Sequence, residues 1–425
     1  MIIRWIAAIL LIGLTGCRLA AELAPLTPPE SSSPSATALL PLEPSSTPTP
    51  QPTPTVTHTP WPAFSTVPAE PSATPPPPPT LAASRTPLPS GTPTRAVVGL
   101  VALPADVNPL TGLKAATPAN LNRRPVMIKV SNFPRTGRPH AGLSAADLVF
   151  EYYIGEFENR FLALYYSQNS SWIGPLRSGR LVDAELTHQY GGTLVYGNAD
   201  PRVDKALVDS LGTRAITFDD APCPPICGKD THSVEGVFVN SAATTQFAIS
   251  QGISNARPDL AGMLFDVHPP SANASGAFLG VMFGPENRGE WRYDAASGSY
   301  LRWIESERSA GKFVQVPLVD RNTGKQLAFE NIIILFTRYN ELLPTMHEIE
   351  ISGNTGNQRA VFFRDGKLIE GFWRSNDPDQ PLYFMNSWGA PAVLKPGKSW
   401  LILVGLSSAL TQPENGHWEL EFHTK

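Results

Sequence analysis

The sequence predicts an α+β protein: an N-terminal mixed α/β domain followed by a mostly antiparallel β domain, with a disordered stalk rich in Pro, Ser and Thr ahead of both. Three observations carry this. Of the 44 prolines, 23 fall between Ala21 and Pro104. Beyond that stretch, short apolar strand-like runs alternate with helical patterns as far as about residue 270. After that point helical periodicity gives way to recurring hairpin signals.

The chain opens with Arg4, an apolar run from Trp5 to Leu14, and Leu14-Thr15-Gly16-Cys17. One positive charge, a short apolar stretch and small residues before a cysteine have the form of a bacterial lipoprotein signal, with residues 1–16 removed and Cys17 bearing the lipid. The run is too short for the roughly 20 residues that a membrane-crossing helix needs. A two-chain lipid anchor gives stable attachment, so the expected address is the extracytoplasmic face of the cell membrane. Residues 17–104 then form the tether. Between Ala21 and Pro104 only Glu22, Glu30, Glu43, Glu70, Arg85 and Arg95 are charged. Such a segment has little apolar surface to offset ordering entropy and is biased to polyproline II.

Regular structure is expected after the turn-rich entry Asn108-Pro109-Leu110-Thr111-Gly112. In residues 105–272, Val126–Val130, Leu148–Tyr153, Arg160–Tyr166, Thr193–Tyr196 and Gly236–Val239 read as strands. Helices are expected over Leu181–Tyr190, Arg202–Leu211 and Ala242–Gln251, the last capped by Ser241. In residues 273–425, hairpins are expected around Asp294–Ser299, around Asp365-Gly366, and around Pro396-Gly397, the last joining Ala392–Leu394 to Trp400–Val404. The switch of character places a boundary near residues 270–280.

Composition excludes some functions. The formal charge of −4 becomes −5 once Arg4 is removed with the signal, which offers no basic field for nucleic acid. The sequence calls for no cofactor and no metal. Cys223 and Cys227, in Cys-Pro-Pro-Ile-Cys, are a candidate disulfide in an exported protein. No Gly-x-Ser-x-Gly elbow, His-Glu-x-x-His, phosphate-binding loop or dinucleotide fingerprint occurs.

The densest polar set is Ile173-Gly174-Pro175-Leu176-Arg177-Ser178-Gly179-Arg180, directly before a predicted helix. Two guanidinium groups beside a helix start make an anion site for phosphate, pyrophosphate or carboxylate. The competing reading pairs Arg177 and Arg180 internally with Glu151, Asp183 or Glu185. Glu151, Arg160, Asp183 and His232 complete the candidate ligand-binding set. The leading expectation is an envelope module that binds an anionic wall polymer or a phosphorylated lipid head group. The alternative is a wall-directed hydrolase or transferase using Glu151 or Asp230 with His232 as acid and base. A transport receptor and a pure scaffold are weaker readings. The aromatic residues of the second half, Trp291, Trp303, Phe372, Trp373, Trp388 and Trp400, serve either sugar stacking or the core.

Read in order, Asn108–Gly112, Arg124–Ile128, Gly142–Glu151, Arg160–Leu164 and Ile173–Arg180, then His232, Gly371-Phe372-Trp373 and Pro396–Trp400, resemble the YerB-like lipoprotein family. The likeness spans roughly residues 108–405 and leaves out the signal and stalk. It implies a secreted, anchored envelope protein with a mixed α/β domain followed by a β-rich one. It marks Glu151, Arg160, Arg177, Arg180 and His232 as motif-matched positions without supplying roles. Around Asp220–Asp230 the chain departs from the family pattern, at the cysteine-bearing loop.

Overall fold

Strands fully buried on both faces read as unbroken apolar runs, and the centre of the fold is made of such strands. In a computed structural model that describes residues 97–98, 103–228, 235–271, 274–306 and 313–424, the first half supplies β1 (Val126–Ser131), β2 (Leu148–Gly155), β3 (Glu158–Tyr165), α1 (Leu181–Gln189), β4 (Thr193–Val195), α2 (Pro201–Leu211), β5 (Ala215–Ile216) and α3 (Ser241–Ser250). The second half supplies β6 (Phe278–Gly284), β7 (Asn287–Asp294), β8 (Ser299–Ser306), β9 (Asn331–Thr337), β10 (Gln358–Arg364), β11 (Lys367–Arg374), β12 (Ser399–Gly405), β13 (Ala409–Glu414) and β14 (His417–Glu421). The residues of the expected lipidation at Cys17, of the expected signal and of nearly all of the expected stalk lie outside the described residues.

An 11-stranded sheet runs in the order β11-β10-β9-β12-β2-β3-β1-β4-β5, with Ala274–Ser275 and Tyr383–Asn386 paired to β11. Its two faces bury separate cores. Phe150, Tyr152, Ile333, Leu335, Leu401 and Leu403 face one way and pack with Val182 and Leu186 of α1 and Leu207 of α2. Val149, Ile332, Ile334, Trp400 and Ile402 face the other way, onto Leu279, Val281, Trp291 and Tyr300. Those last four belong to a 7-stranded sheet ordered β8-β7-β6-β14-β13, with Val314–Pro317 and Ala328–Phe329 paired to β8. The fold is therefore layered as α1 and α2, central sheet, and second sheet, with α3 packing on the second-sheet side. Each fully buried Leu or Ile contributes about 1.5–3 kcal/mol.

Pairing among the strands of the second half is mostly antiparallel, with β12 parallel to both β9 and β2 and β14 parallel to β6 as exceptions. Two expectations are corrected. Ala392–Leu394 and β12 do not form a hairpin: Val393–Leu394 pairs in parallel with Leu264–Asp266 in a separate small sheet. The reason is that β12 is buried along its whole length between two parallel neighbours, which leaves no edge for a hairpin partner. The cap of α3 is Asn240, whose side chain accepts from Ala243 N at 3.0 Å; Ser241 is already helical. The chain changes character near residue 272, yet the central sheet draws strands from both sides of that point.

Candidate functional site

β9, β12 and β2 are parallel neighbours, and two antiparallel steps through β3 bring β1 back to the same direction. β4 and β5 then continue in parallel from β1. These six strands, and β11 two antiparallel steps beyond β9, thus end on one edge of the sheet. Helices that follow parallel strands start at that edge, where ligands of open α/β sheets bind. The segment Ile173–Arg180 lies across it. Ser131 N donates to Pro175 O (2.9 Å), Arg177 N to Lys129 O (3.0 Å), Gly197 N to Arg177 O (2.9 Å) and Gly179 N to Asn198 O (2.9 Å). Gly179 lets the segment lie close to α2: a Cβ there would stand 2.6 Å from Leu207 Cδ1.

This strap presents Arg177 and Arg180 at the start of α1, and β3 adds Arg160, in register with Ser131 of β1 and Tyr152 of β2. Arg160 Nη1 donates to Ser178 O (3.0 Å) and Arg180 Nη1 to Gly179 O (2.8 Å). The Nε atoms of Arg177 and Arg180 are buried without a hydrogen-bond partner. Among the described residues, no carboxylate forms an ion pair with Arg160, Arg177 or Arg180; the nearby pair on this face joins Lys129 Nζ to Asp183 Oδ1 at 3.0 Å.

Asp183 is fully engaged beneath the arginines. Its Oδ2 accepts from Arg180 N (2.7 Å), while Oδ1 accepts from Lys129 and from the Tyr152 hydroxyl, to which Lys129 also donates. Burial lowers the Lys129 ammonium to about 7; Asp183 opposes that fall, and Arg180 and Arg160 add to it. Burial also brings Arg160 down to about 9, assisted by Arg180 and Arg177 and opposed by Glu158. Both shifts report cations held close together in a poorly hydrated place, which an incoming anion would relieve.

The remaining candidates go elsewhere. Glu151 points into the opposite core, where Oε1 accepts from Arg302 Nη2 (2.9 Å) and from Asn159, and Oε2 accepts from Trp400 Nε1 (2.6 Å). The Glu151–Arg302 pair is buried. Burial raises the Glu151 carboxyl, against the pull of Arg302. Glu185 accepts from Ser352 N at 3.0 Å. His232 and Asp230 lie outside the described residues. Cys223 and Cys227 are joined as a disulfide. Trp291, Trp373 and Trp400 belong to the cores, whereas Trp388 is 91% exposed.

Lys129 and Tyr152 were not among the residues that the sequence singled out. The available signal is a lysine inside the apolar run Val126-Met127-Ile128-Lys129-Val130, because a buried lysine requires a partner.

Residues 110–223 match the family model described as the N-terminal domain of a protein of unknown function, DUF3048, and residues 279–401 match its C-terminal domain. A curated relative, YerB of Bacillus subtilis (strain 168), named as an inferred lipoprotein, is 26% identical over 308 residues, which cover 70% of this chain and 85% of the relative. A crystal structure of the YerB protein from Bacillus subtilis aligns with a TM-score of 0.57 at 24% identity, covering 70% of this chain and 96% of that one. This structural likeness shows the shared fold.

Proposed function

The chain belongs to the YerB-like family, and from that premise we propose that it is a lipid-anchored extracytoplasmic protein. Its folded part binds an anionic envelope ligand, wall-borne or lipid-linked, through Arg177, Arg180 and Arg160. One observation carries the reading: three guanidinium groups gather near one helix start without a direct carboxylate ion pair among the described residues, and two of their Nε atoms are buried and unbonded. A buried unsatisfied donor costs about 1–3 kcal/mol, and a bound anion toward which the two side chains turned would offer each an acceptor. Lys129 and Asp183 support the site from below and hold its geometry. The hydrolase reading that relies on Glu151 loses its motivation, since that carboxylate is committed to Arg302 and Trp400 on the other face of the sheet.

The test is calorimetric titration of the full chain, held in amphipol, with inorganic pyrophosphate. Two charge-assisted contacts at about 1.5–3 kcal/mol each predict that Arg177→Ala plus Arg180→Ala weakens binding by at least about a hundredfold with little change in melting temperature. Equal affinity of wild type and double variant would refute the reading.

A further inference from the structure

Beside the arginines, at the same sheet edge, the chain exposes apolar side chains on turns. β2 and β3 are joined by the two-residue turn Glu156-Phe157, both residues with positive φ (52° and 61°). Such a turn favours Asn-Gly because any Cβ is strained there. A phenylalanine in that conformation, 61% exposed, is costly twice over, in backbone strain and in hydrated apolar surface. Strain of this kind concentrates at sites of function.

A second turn meets the first. The hairpin of Tyr339–Leu343 and Met346–Ile349 follows the end of β9. It crosses so close to Gly155 that a Cβ on Gly155 would lie 2.0 Å from Pro344 O. Its tip exposes Leu342 (49%) and Leu343 (37%). Beside Phe157, a cleft of about 350 Å³ is lined by Phe133 and Pro285 and by the charged Arg135, Glu156, Glu158 and Glu286. Glu158 is the link to the cation cluster, since its charge acts on Arg160, Arg177 and Arg180 alike. Phe157 stands three residues from Arg160, about 10 Å along the chain.

We propose that the ligand of the arginine site is an amphiphilic phosphate, lipid-linked rather than a purely polar wall anion. Its head sits among Arg160, Arg177 and Arg180, and its hydrocarbon chain leaves across Phe157, Leu342 and Leu343. The inference rests on the anion-binding reading and adds the apolar half of the ligand. Charge complementarity fixes the head, and the exposed apolar side chains of the two turns receive the chain. Covering those side chains removes apolar surface from water, so affinity should grow with chain length while the head-group contacts stay constant.

The experiment compares inorganic phosphate with hexyl phosphate on the full chain in amphipol, for wild type, Phe157→Ser plus Leu342→Ser, and Arg177→Ala plus Arg180→Ala. The proposal expects hexyl phosphate to bind wild type at least about tenfold more tightly than phosphate, the equivalent of roughly two buried methylenes. The serine variant should lose that advantage and keep phosphate binding; the alanine variant should lose both. Equal affinity of the two probes for wild type overturns the amphiphile and leaves the anion site standing. Failure of both probes to bind wild type overturns both readings together.

Discussion

Replacing Glu151 by Gln tests whether this residue is a structural ion or a catalytic one. The change keeps the shape of the side chain and removes its charge, leaving the Arg302 guanidinium, which is buried between the two sheets, without its carboxylate. It also swaps an acceptor for a donor among three donors: Arg302 Nη2, Asn159 Nδ2 and Trp400 Nε1. Breaking one side of a buried pair costs about 3–5 kcal/mol. At about 2–4 °C of melting temperature per kcal/mol for a large domain, the expected loss is roughly 6–20 °C by differential scanning fluorimetry. Glu151→Leu combined with Arg302→Met should recover a large part of it, since a hydrophobic replacement of both ions avoids the uncompensated charge. Pyrophosphate affinity of Glu151→Gln should equal that of wild type below its melting temperature, because the carboxylate faces the other core. A melting shift below about 2 °C, or a binding loss as large as that of the arginine variant, would refute this assignment.

Anion binding should weaken as pH rises from 6 to 9. Lys129 titrates near 7 in the free fold, and its proton strengthens the field on the ligand; calorimetry in buffers of different ionisation heats should show proton uptake on binding near pH 7.5, absent in Lys129→Met. Stability without ligand has the opposite sign. The folded ammonium is lowered from its unfolded value of about 10.4, so between about 7 and 10.4 the unfolded chain holds the extra proton and stability rises with pH; urea melts at pH 7 and 9 should show that rise, flattened in Lys129→Met. Gly155→Ala should destabilise by about 2–4 kcal/mol, a Cβ at φ 109° being both strained and driven into Pro344 O; urea midpoints read it, and no loss would mean the two turns separate freely.

Most elements were legible because their signals are local. Trp400–Val404 read as a strand and is one, and Asp365-Gly366 announced a hairpin that the fold contains. What these signals did not disclose is who pairs with whom. β12 reads equally well as a hairpin partner of Ala392–Leu394 or as an insert between β9 and β2, since both bury it. The site shows the same division. Arg177 and Arg180 stood out beside a helix start, and Asp183 lay within the same segment, but Glu151 was grouped with them although alternation along β2 turns it to the other face from Tyr152.

The sequence by itself determined the composition of the tether, the run of strands and helices, and a concentration of arginine at the head of α1, all of which follow from neighbours in the chain. Tertiary structure decided that Lys129, Tyr152 and Asp183 lie beneath those arginines while Glu151 serves the opposite core. The physical reason is that strand order and facing are set by which apolar surfaces cover one another across hundreds of residues, and no short stretch of chain carries that information.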